Sequence, residues 1–166
     1  MQCMDSLPQS RSPAAVVDAC WVIGICAKED NKYAAAMAQL DAYARDGWEL
    51  FAPGVLFGEV LFALCRKRSD GSLTAAQYLD AIAAFVALSN EINPPPNGDA
   101  GLFARANAIL GAYGCSKASD AFYLALAEEL NSDRRTELIT FDGNMKNQAQ
   151  ASKLLSIVTV LPVLPS

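Results

Sequence analysis

Four acidic side chains occupy positions where a carboxylate is unusual. Asp18 and Asp142 each follow a short apolar run that has the composition of a buried strand. Glu59 lies inside an apolar segment with helical spacing, and Asp120 stands just ahead of the apolar stripe of another predicted helix. An ionised carboxylate is costly to bury unless something binds it. A partner shared by all four acids would explain these positions.

Each aspartate also has a simpler interpretation. Asp120 can complement the dipole at a helix N-terminus, and Asp18 can be a helix N-cap. Asp142 can be a turn residue before Gly143. Glu59 is harder to explain in this way, because buried acids normally have a partner. No lysine or arginine near Glu59 in the sequence is placed to pair with it.

The composition limits the chemistry to a few residue types. The chain has 166 residues, of which 52% are hydrophobic, enough for one domain with a buried core. It contains no histidine, so Ser-His-Asp and Cys-His catalysis and most zinc sites are excluded. The net charge of −5 argues against a large basic groove that holds long nucleic acid by charge alone.

The remaining donors favour a hard metal ion. Carboxylates without histidine or thiolate partners prefer cations such as Mg²⁺ or Mn²⁺. These ions support hydrolytic phosphoryl chemistry, because they activate water and stabilise charge on the phosphate and the leaving oxygen. We therefore expect Mg²⁺ or Mn²⁺ as the cofactor.

The cysteines and the apolar stretch near the N-terminus indicate in which part of the cell the protein is expected. Five cysteines form no Cys-x-x-Cys motif, and Cys20, Cys26 and Cys65 lie in apolar runs, which predicts buried thiols in a reducing compartment. The apolar residues 14–27 are interrupted by Asp18 and are too few to span a bilayer. They also lack the features of a signal peptide. We expect a cytoplasmic protein without membrane association.

Short apolar strands alternate with helices along the chain. This predicts an α/β fold, a three-layer α/β/α sandwich with a short, mostly parallel sheet. Residues 1–14 are expected to be a flexible leader and residues 15–163 a single domain, in which 93–98 is a loop. Ser72 and Ser119 are candidate helix N-caps. The predicted strands are 15–18, 48–52, 138–142 and 156–161, and the predicted helices are 19–27, 33–45, 54–67, 72–90, 102–113, 117–128 and 144–152.

The predicted topology places the acids at one edge. Ligands of open parallel sheets bind at the carboxyl ends of the strands. Asp18 and Asp142 are predicted to end strands, and the start of the helix with Asp120 points to the same edge. We therefore expect one pocket that contains the carboxylates of Asp18, Glu59, Asp120 and Asp142.

Four segments carry these acids in the order and spacing of a known family. They are Val16-Val-Asp18-Ala, Pro53-Gly-Val-Leu-Phe-Gly-Glu59-Val-Leu, Ser119-Asp120-Ala-Phe-Tyr-Leu-Ala-Leu-Ala127 and Leu138-Ile-Thr140-Phe-Asp142. They resemble the successive motifs of PIN-domain nucleases, most closely those of the VapC-type toxin ribonucleases of bacterial toxin–antitoxin pairs. The resemblance extends from residue 15 to about residue 161, and the helical third segment is its most specific part.

The resemblance implies a hydrolase, a divalent-metal-dependent endoribonuclease. Its catalytic and metal-binding acids would be Asp18, Glu59, Asp120 and Asp142. Thr140 matches as well and is expected to position a water molecule. The resemblance also implies an RNA substrate, an antitoxin partner and a homodimer.

One position departs from the family pattern. The family commonly has a polar residue, often Asn, three residues after the helix acid, where this chain has Phe62. A catalytically inactive PIN-like module that binds RNA or a protein is therefore the alternative to an active ribonuclease. A phospho-acceptor receiver domain is disfavoured, because it normally has adjacent acids after its first strand and a lysine after a late strand. Residues 15–18 and 156–161 lack these features.

Two further groups of residues predict contacts. The segment 72–90 is apolar on more than one face, so it is either a core helix or pairs with another chain. The family resemblance favours a homodimer and an antitoxin segment near residues 54–90. For the RNA backbone, Lys117 is favoured over the basic clusters Arg66-Lys-Arg68 and Arg134-Arg135.

Overall fold

Strands and helices alternate along the chain, as predicted. The structure is a computed structural model that describes residues 11–115 and 117–165. Its strands are β1 (Ala14–Val17), β2 (Glu49–Phe51), β3 (Ile92–Asn93), β4 (Thr136–Thr140) and β5 (Val158–Val160). Its helices are α1 (Ala19–Cys26), α2 (Tyr33–Arg45), α3 (Val55–Ser69), α4 (Ala75–Ser89), α5 (Gly98–Ala112), α6 (Ala118–Asn131) and α7 (Gly143–Ala151).

The strands form one parallel sheet in the order β3-β2-β1-β4-β5. All four residues of the central strand β1 are completely buried, as expected for a sheet with helices on both faces. One group of helices forms around α1, which packs against α2, α3 and α4. In the other group, α6 packs on β1 and β4 and against α5 and α7. The predicted three-layer α/β/α sandwich is thus confirmed, with a sheet that is parallel throughout the described residues.

Two predicted caps are wrong. Thr74, not Ser72, caps α4: its hydroxyl accepts the Gln77 N–H at 3.2 Å, and the Gln77 side chain accepts the Thr74 N–H at 2.9 Å. Ser72 instead bonds to a carboxylate in the preceding turn. Ser119 lies inside the first turn of α6, because Lys117 occupies the N-cap position.

The segment before the triple proline contains a two-residue strand that the sequence analysis did not predict, since it assigned Asn93 to a loop and gave Ile92 no structure. Ile92–Asn93 pairs with β2 at the edge of the sheet, and the Asn93 side chain donates to the Leu50 carbonyl at 3.1 Å. Proline cannot donate to a ladder, so the following residues cannot extend this pairing. The next helix begins at Gly98, before the predicted start at residue 102.

Most of the predicted leader lies outside the described residues, and one of the thiols predicted to be buried is exposed. Of the proposed leader, residues 1–10 lie outside the described residues, and Ala14 already belongs to β1. Cys26 is buried as predicted, whereas Cys65 is exposed, because it lies on the outer side of α3. Among the described residues, no helix is both long and apolar enough to cross a membrane.

The capping box at Thr74 gives a stability prediction. Thr74→Ala should lower the free energy of unfolding by about 1 kcal/mol, because an N–H at the start of α4 loses its acceptor. Ser72→Ala is the control, and its exposed turn position should cost no more than about 0.5 kcal/mol. Urea denaturation followed by circular dichroism measures both. Equal losses would contradict the cap assignment.

Candidate functional site

One pocket at the carboxyl edge of the central strands contains all four acids. Asp18 directly follows β1, and Asp142 follows β4 by two residues. Asp120 lies in the first turn of α6, and Glu59 comes from α3. The cavity measures about 370 Å³, and its other lining residues are Ala19, Cys20, Ile23, Phe62, Lys117 and Ser119. Elements distant in the sequence therefore place four carboxylates around one space.

Asp18 is both a helix cap and a pocket acid. Its Oδ1 accepts the Ala19 N–H at 2.7 Å, which caps α1. Its Oδ2 accepts hydrogen bonds from Thr140 Oγ1 at 2.7 Å and from Cys20 Sγ at 2.8 Å. Burial raises the pKa of Asp18, and the two side-chain donors partly oppose this shift because they favour the ionised form. The simpler interpretation of Asp18 as an N-cap therefore coexists with a place in the pocket.

Thr140 and Cys20 hold the Asp18 carboxylate in place by hydrogen bonds. Thr140 is fully buried, and its hydroxyl also accepts the Asp142 N–H at 2.9 Å, so it links two of the acids. The Cys20 thiol accepts the Phe141 N–H at 3.1 Å. Burial, followed by the charge of Asp18, raises the pKa of Cys20 to about 12, which keeps the thiol protonated. The sequence analysis assigned Cys20 only to the core, although its position two residues after Asp18 was a signal.

Of the four acids, Asp120 has the fewest contacts that offset the cost of burying its charge. Its side chain is only 9% exposed, and its Oδ2 has no hydrogen-bond partner among the described residues. Burial raises the pKa of Asp120 to about 7, the charge of Asp18 adds to the shift, and Lys117 opposes it. Near pH 7 a large fraction of Asp120 therefore carries a proton. A carboxylate that only complements a helix dipole has no need of such burial.

Glu59 has a partner that the sequence did not indicate. The Tyr123 hydroxyl donates a hydrogen bond to Glu59 Oε2 at 2.7 Å, across 64 positions of sequence. Tyr123 is fully buried in α6, and burial followed by the charges of Asp18 and Glu59 raises its pKa. The hydroxyl therefore stays protonated and acts as a fixed donor to the half-buried Glu59.

Asp142 is held by a lysine and a helix terminus. Its Oδ2 lies 2.6 Å from Lys117 Nζ, and its Oδ1 accepts the Asn144 N–H at 2.8 Å as the N-cap of α7. Partial burial alone would raise the pKa of Asp142, but the Lys117 ammonium and the Asn144 N–H lower it below its ordinary value. Lys117 has a φ of 54°, in the left-handed region that residues with a β-carbon seldom adopt.

The chemical type of the donor atoms in the pocket fits a hard divalent cation. Within the described parts of the chain, no group of three acidic or thiol side chains is arranged to hold a metal ion as it stands. The fit rests on the chemistry of the donors, which are carboxylate oxygens, and on the buried Oδ2 of Asp120 that has no partner in the described structure. A cation is the counterpart that such an oxygen favours.

Comparison with known proteins gives one family. A sequence model of the PIN domain matches residues 15–151, which is most of the chain and includes all four acids. No curated protein matches the chain significantly.

The shifted pKa of Asp120 gives a prediction about stability in the presence of a chelator. The folded protein retains a proton on Asp120 up to about pH 7, whereas the unfolded chain loses it near the ordinary value of 3.8. The contribution of Asp120 to wild-type stability is therefore fully present below about pH 4 and is lost as the pH rises to about 7. Asp120→Asn does not titrate, so at neutral pH it should be as stable as wild type or more stable by about 1 kcal/mol.

Urea denaturation at several pH values measures this difference. Asp99, in the first turn of α5, supplies the control as an exposed helix-terminal acid; its Oδ1 accepts the Gly54 N–H at 2.8 Å, a bond that the amide oxygen of asparagine can also accept. Asp99→Asn should give no gain in stability at neutral pH. If Asp120 only complements the helix dipole, Asp120→Asn should instead lose about 0.3–1 kcal/mol at neutral pH, and this loss should disappear at low pH where the carboxylate is protonated.

Proposed function

The chain belongs to the PIN domain family, and from this membership we propose that it is a divalent-metal-dependent ribonuclease that hydrolyses RNA phosphodiester bonds. PIN domains are generally nucleases, so nuclease chemistry is the function that the family supports. The observation that carries the proposal is the pocket of four acids around the buried, unpartnered Oδ2 of Asp120, as far as the described residues show. The reaction adds water across a P–O bond: the water oxygen joins phosphorus, and the leaving oxygen takes a proton.

The metal ligands in this proposal are Asp18, Glu59, Asp120 and Asp142. A bound Mg²⁺ or Mn²⁺ supplies Lewis-acid activation of water and neutralises charge at the phosphate. Thr140 orients Asp18, and Tyr123 orients Glu59, by hydrogen bonds of 2.7 Å to each carboxylate. Such outer partners fix the direction of the ligand oxygens. Thr140 would thereby act through Asp18 in positioning the attacking water.

Lys117 is the basic residue best placed to contact the RNA backbone. It lines the pocket, and its Nζ already bonds to a carboxylate there. Arg134 and Arg135 precede β4, at the opposite edge of the sheet from the pocket. Arg134 also bonds to Glu49 at 2.6 Å. A phosphate that approaches the pocket would therefore meet Lys117 first.

From the resemblance to toxin ribonucleases we also propose a homodimer and an antitoxin partner, and exposed apolar side chains of α3 and α4 support such contacts. Phe57 and Leu61 on α3 are 53% and 57% exposed, and Leu79 and Val86 on α4 are 65% and 56% exposed. Other residues of α4, Ala81 and Phe85, are buried, so the helix is apolar on both its inner and its outer side. An apolar outer side on two neighbouring helices suits a second copy of the chain or an antitoxin segment.

Metal-dependent cleavage is the first test of the proposal. Wild type should cleave single-stranded RNA with Mg²⁺ or Mn²⁺ and lose this activity with chelator. Asp120→Asn should lower the rate at least about 100-fold, because loss of an outer partner alone typically costs 10–100-fold. The exposed Asp99→Asn should cleave as wild type does. A protein that binds RNA but cleaves none with either metal would be the inactive module instead.

Thermal melts test metal binding without reference to activity. Mg²⁺ or Mn²⁺ should raise the melting temperature of wild type, because the ion binds the folded pocket and not the unfolded chain. The increase should be smaller for Asp120→Asn and unchanged for Asp99→Asn. A wild type that is indifferent to both ions would contradict the metal site.

The homodimer gives a separate prediction. Light scattering at tens of micromolar should give the mass of a dimer, and Leu79→Lys should shift the protein towards monomer because it places a charge in the apolar interface. Phe103→Lys is the control, since Phe103 on α5 is 66% exposed but lies outside this surface. A wild type that is monomeric throughout this range would contradict the proposal.

A further inference from the structure

The aromatic ring of Phe62 is exposed to solvent at the pocket that contains the four acids. It lines the cavity together with the four carboxylates, yet its side chain is 65% exposed. A single exposed aromatic residue on a surface needs no explanation. This one borders a cavity of about 370 Å³, within the range of roughly 300–1,000 Å³ that is usual for small-ligand sites. The cavity can therefore hold part of a nucleoside as well as a phosphate.

The helical spacing separates Phe62 from the apolar surface proposed for the dimer. Phe62 lies three residues after Glu59, which places the two side chains on one face of α3. Phe57 and Leu61 lie two residues before and two residues after Glu59, so each is rotated by about 160° from it. Phe62 thus belongs to the pocket face of α3, whereas the other two apolar residues point away from the pocket.

A positively charged side chain lies further along the same face of α3. Arg66 lies one turn after Phe62, and its guanidinium carbon is 6.0 Å from the centroid of the Phe62 ring. This distance is at the outer limit of a cation–π contact, so the guanidinium leaves much of the ring accessible. Along α3, a carboxylate, an aromatic ring and a guanidinium therefore follow one another. The order of these groups suits a phosphate near the acids, its flanking base on the ring and the next phosphate at the guanidinium.

We propose that Phe62 is a stacking platform for an unpaired nucleobase beside the scissile phosphate, an inference that rests on the proposed ribonuclease function. Every base has a π-face, so stacking on Phe62 tolerates different sequences. Bases inside a duplex already stack on one another and cannot reach the ring. Phe62 therefore selects single-stranded RNA, and Arg66 holds the backbone that continues from the stacked base.

Binding without turnover provides the main test. In the Asp120→Asn background with Mg²⁺, the anisotropy of a short labelled oligoadenylate gives the Kd. Phe62→Ala should raise this Kd by about 5- to 150-fold, the range for loss of one base–aromatic stack. Phe62→Leu should behave like Phe62→Ala, since it is apolar but lacks a π-face, whereas Phe62→Tyr and Phe62→Trp should bind nearly as well as the parent.

Two controls separate stacking from other effects. Phe103→Ala removes a phenyl ring of almost equal exposure, 66%, outside the carboxylate pocket and should leave the Kd unchanged. Binding of a duplex with the same sequence should not depend on Phe62. Circular dichroism melts should show that the Phe62 variants fold, as expected for a side chain that is 65% exposed. If Phe62→Ala is destabilised, Phe62→Leu serves for the comparison.

The outcomes distinguish this inference from the proposed function. If wild type cleaves RNA but Phe62→Ala and Phe62→Leu keep the parent Kd and KM, the stacking role is wrong and the nuclease stands. If wild type cleaves no RNA but the Phe62 variants weaken oligonucleotide binding as predicted, the nuclease proposal fails and the base-binding role stands. If Phe62→Ala alters the dimer mass and not the Kd, Phe62 belongs to a protein interface and the inference is overturned.

Discussion

Repulsion between carboxylates at one sheet edge is the constraint on which the site depends. Like charges a few ångströms apart in a partly buried pocket disfavour the folded state unless each is compensated. Asp18 receives hydrogen bonds from two side chains, and Asp120 is partly protonated near pH 7. Asp142 is paired with the Lys117 ammonium, and Glu59 accepts a hydrogen bond from the Tyr123 hydroxyl. The fold thus uses a different compensation for each acid, and among the described residues only Asp120 of these four has a buried oxygen without a hydrogen-bond partner.

Helix α6 supplies much of this compensation. Lys117 at its N-cap, Asp120 in its first turn and Tyr123, three residues after Asp120, all reach towards the pocket. The helix also packs on β1 and β4, the strands that end near Asp18 and Asp142. The position of Asp120 relative to Asp18 and Asp142 therefore depends on the packing of α6 against the two central strands. The buried apolar residues of α6 therefore help to set the geometry of the site.

Helix α3 separates two kinds of surface. Its pocket face carries Glu59 and Phe62, while Phe57 and Leu61 lie on the opposite side and are more than half exposed. Three leucine and valine positions between these faces, Leu56, Val60 and Leu64, are fully buried and fix the rotation of the helix. Because core packing fixes the rotation of α3, a substitution on its pocket face need not change its outer face, and a substitution on its outer face need not change the pocket.

The sequence by itself determined the fold class and the shared location of the acids. Apolar strands that alternate with helices admit few architectures, and strand ends of a parallel sheet lie at one edge. These features are local or follow from topology, so residue types and spacing reveal them. Residue types and topology are therefore enough to place Asp18 and Asp142 at the same edge.

Only the tertiary structure decided which groups compensate the acids. Tyr123 meets Glu59 across 64 positions and Lys117 meets Asp142 across 25, and no local pattern encodes such contacts. The edge strand Ile92–Asn93 exists because β2 offers it a partner, since two residues before a proline run carry no strand signal of their own. Periodicity describes one helix or strand at a time, whereas these contacts depend on how the helices pack on the sheet.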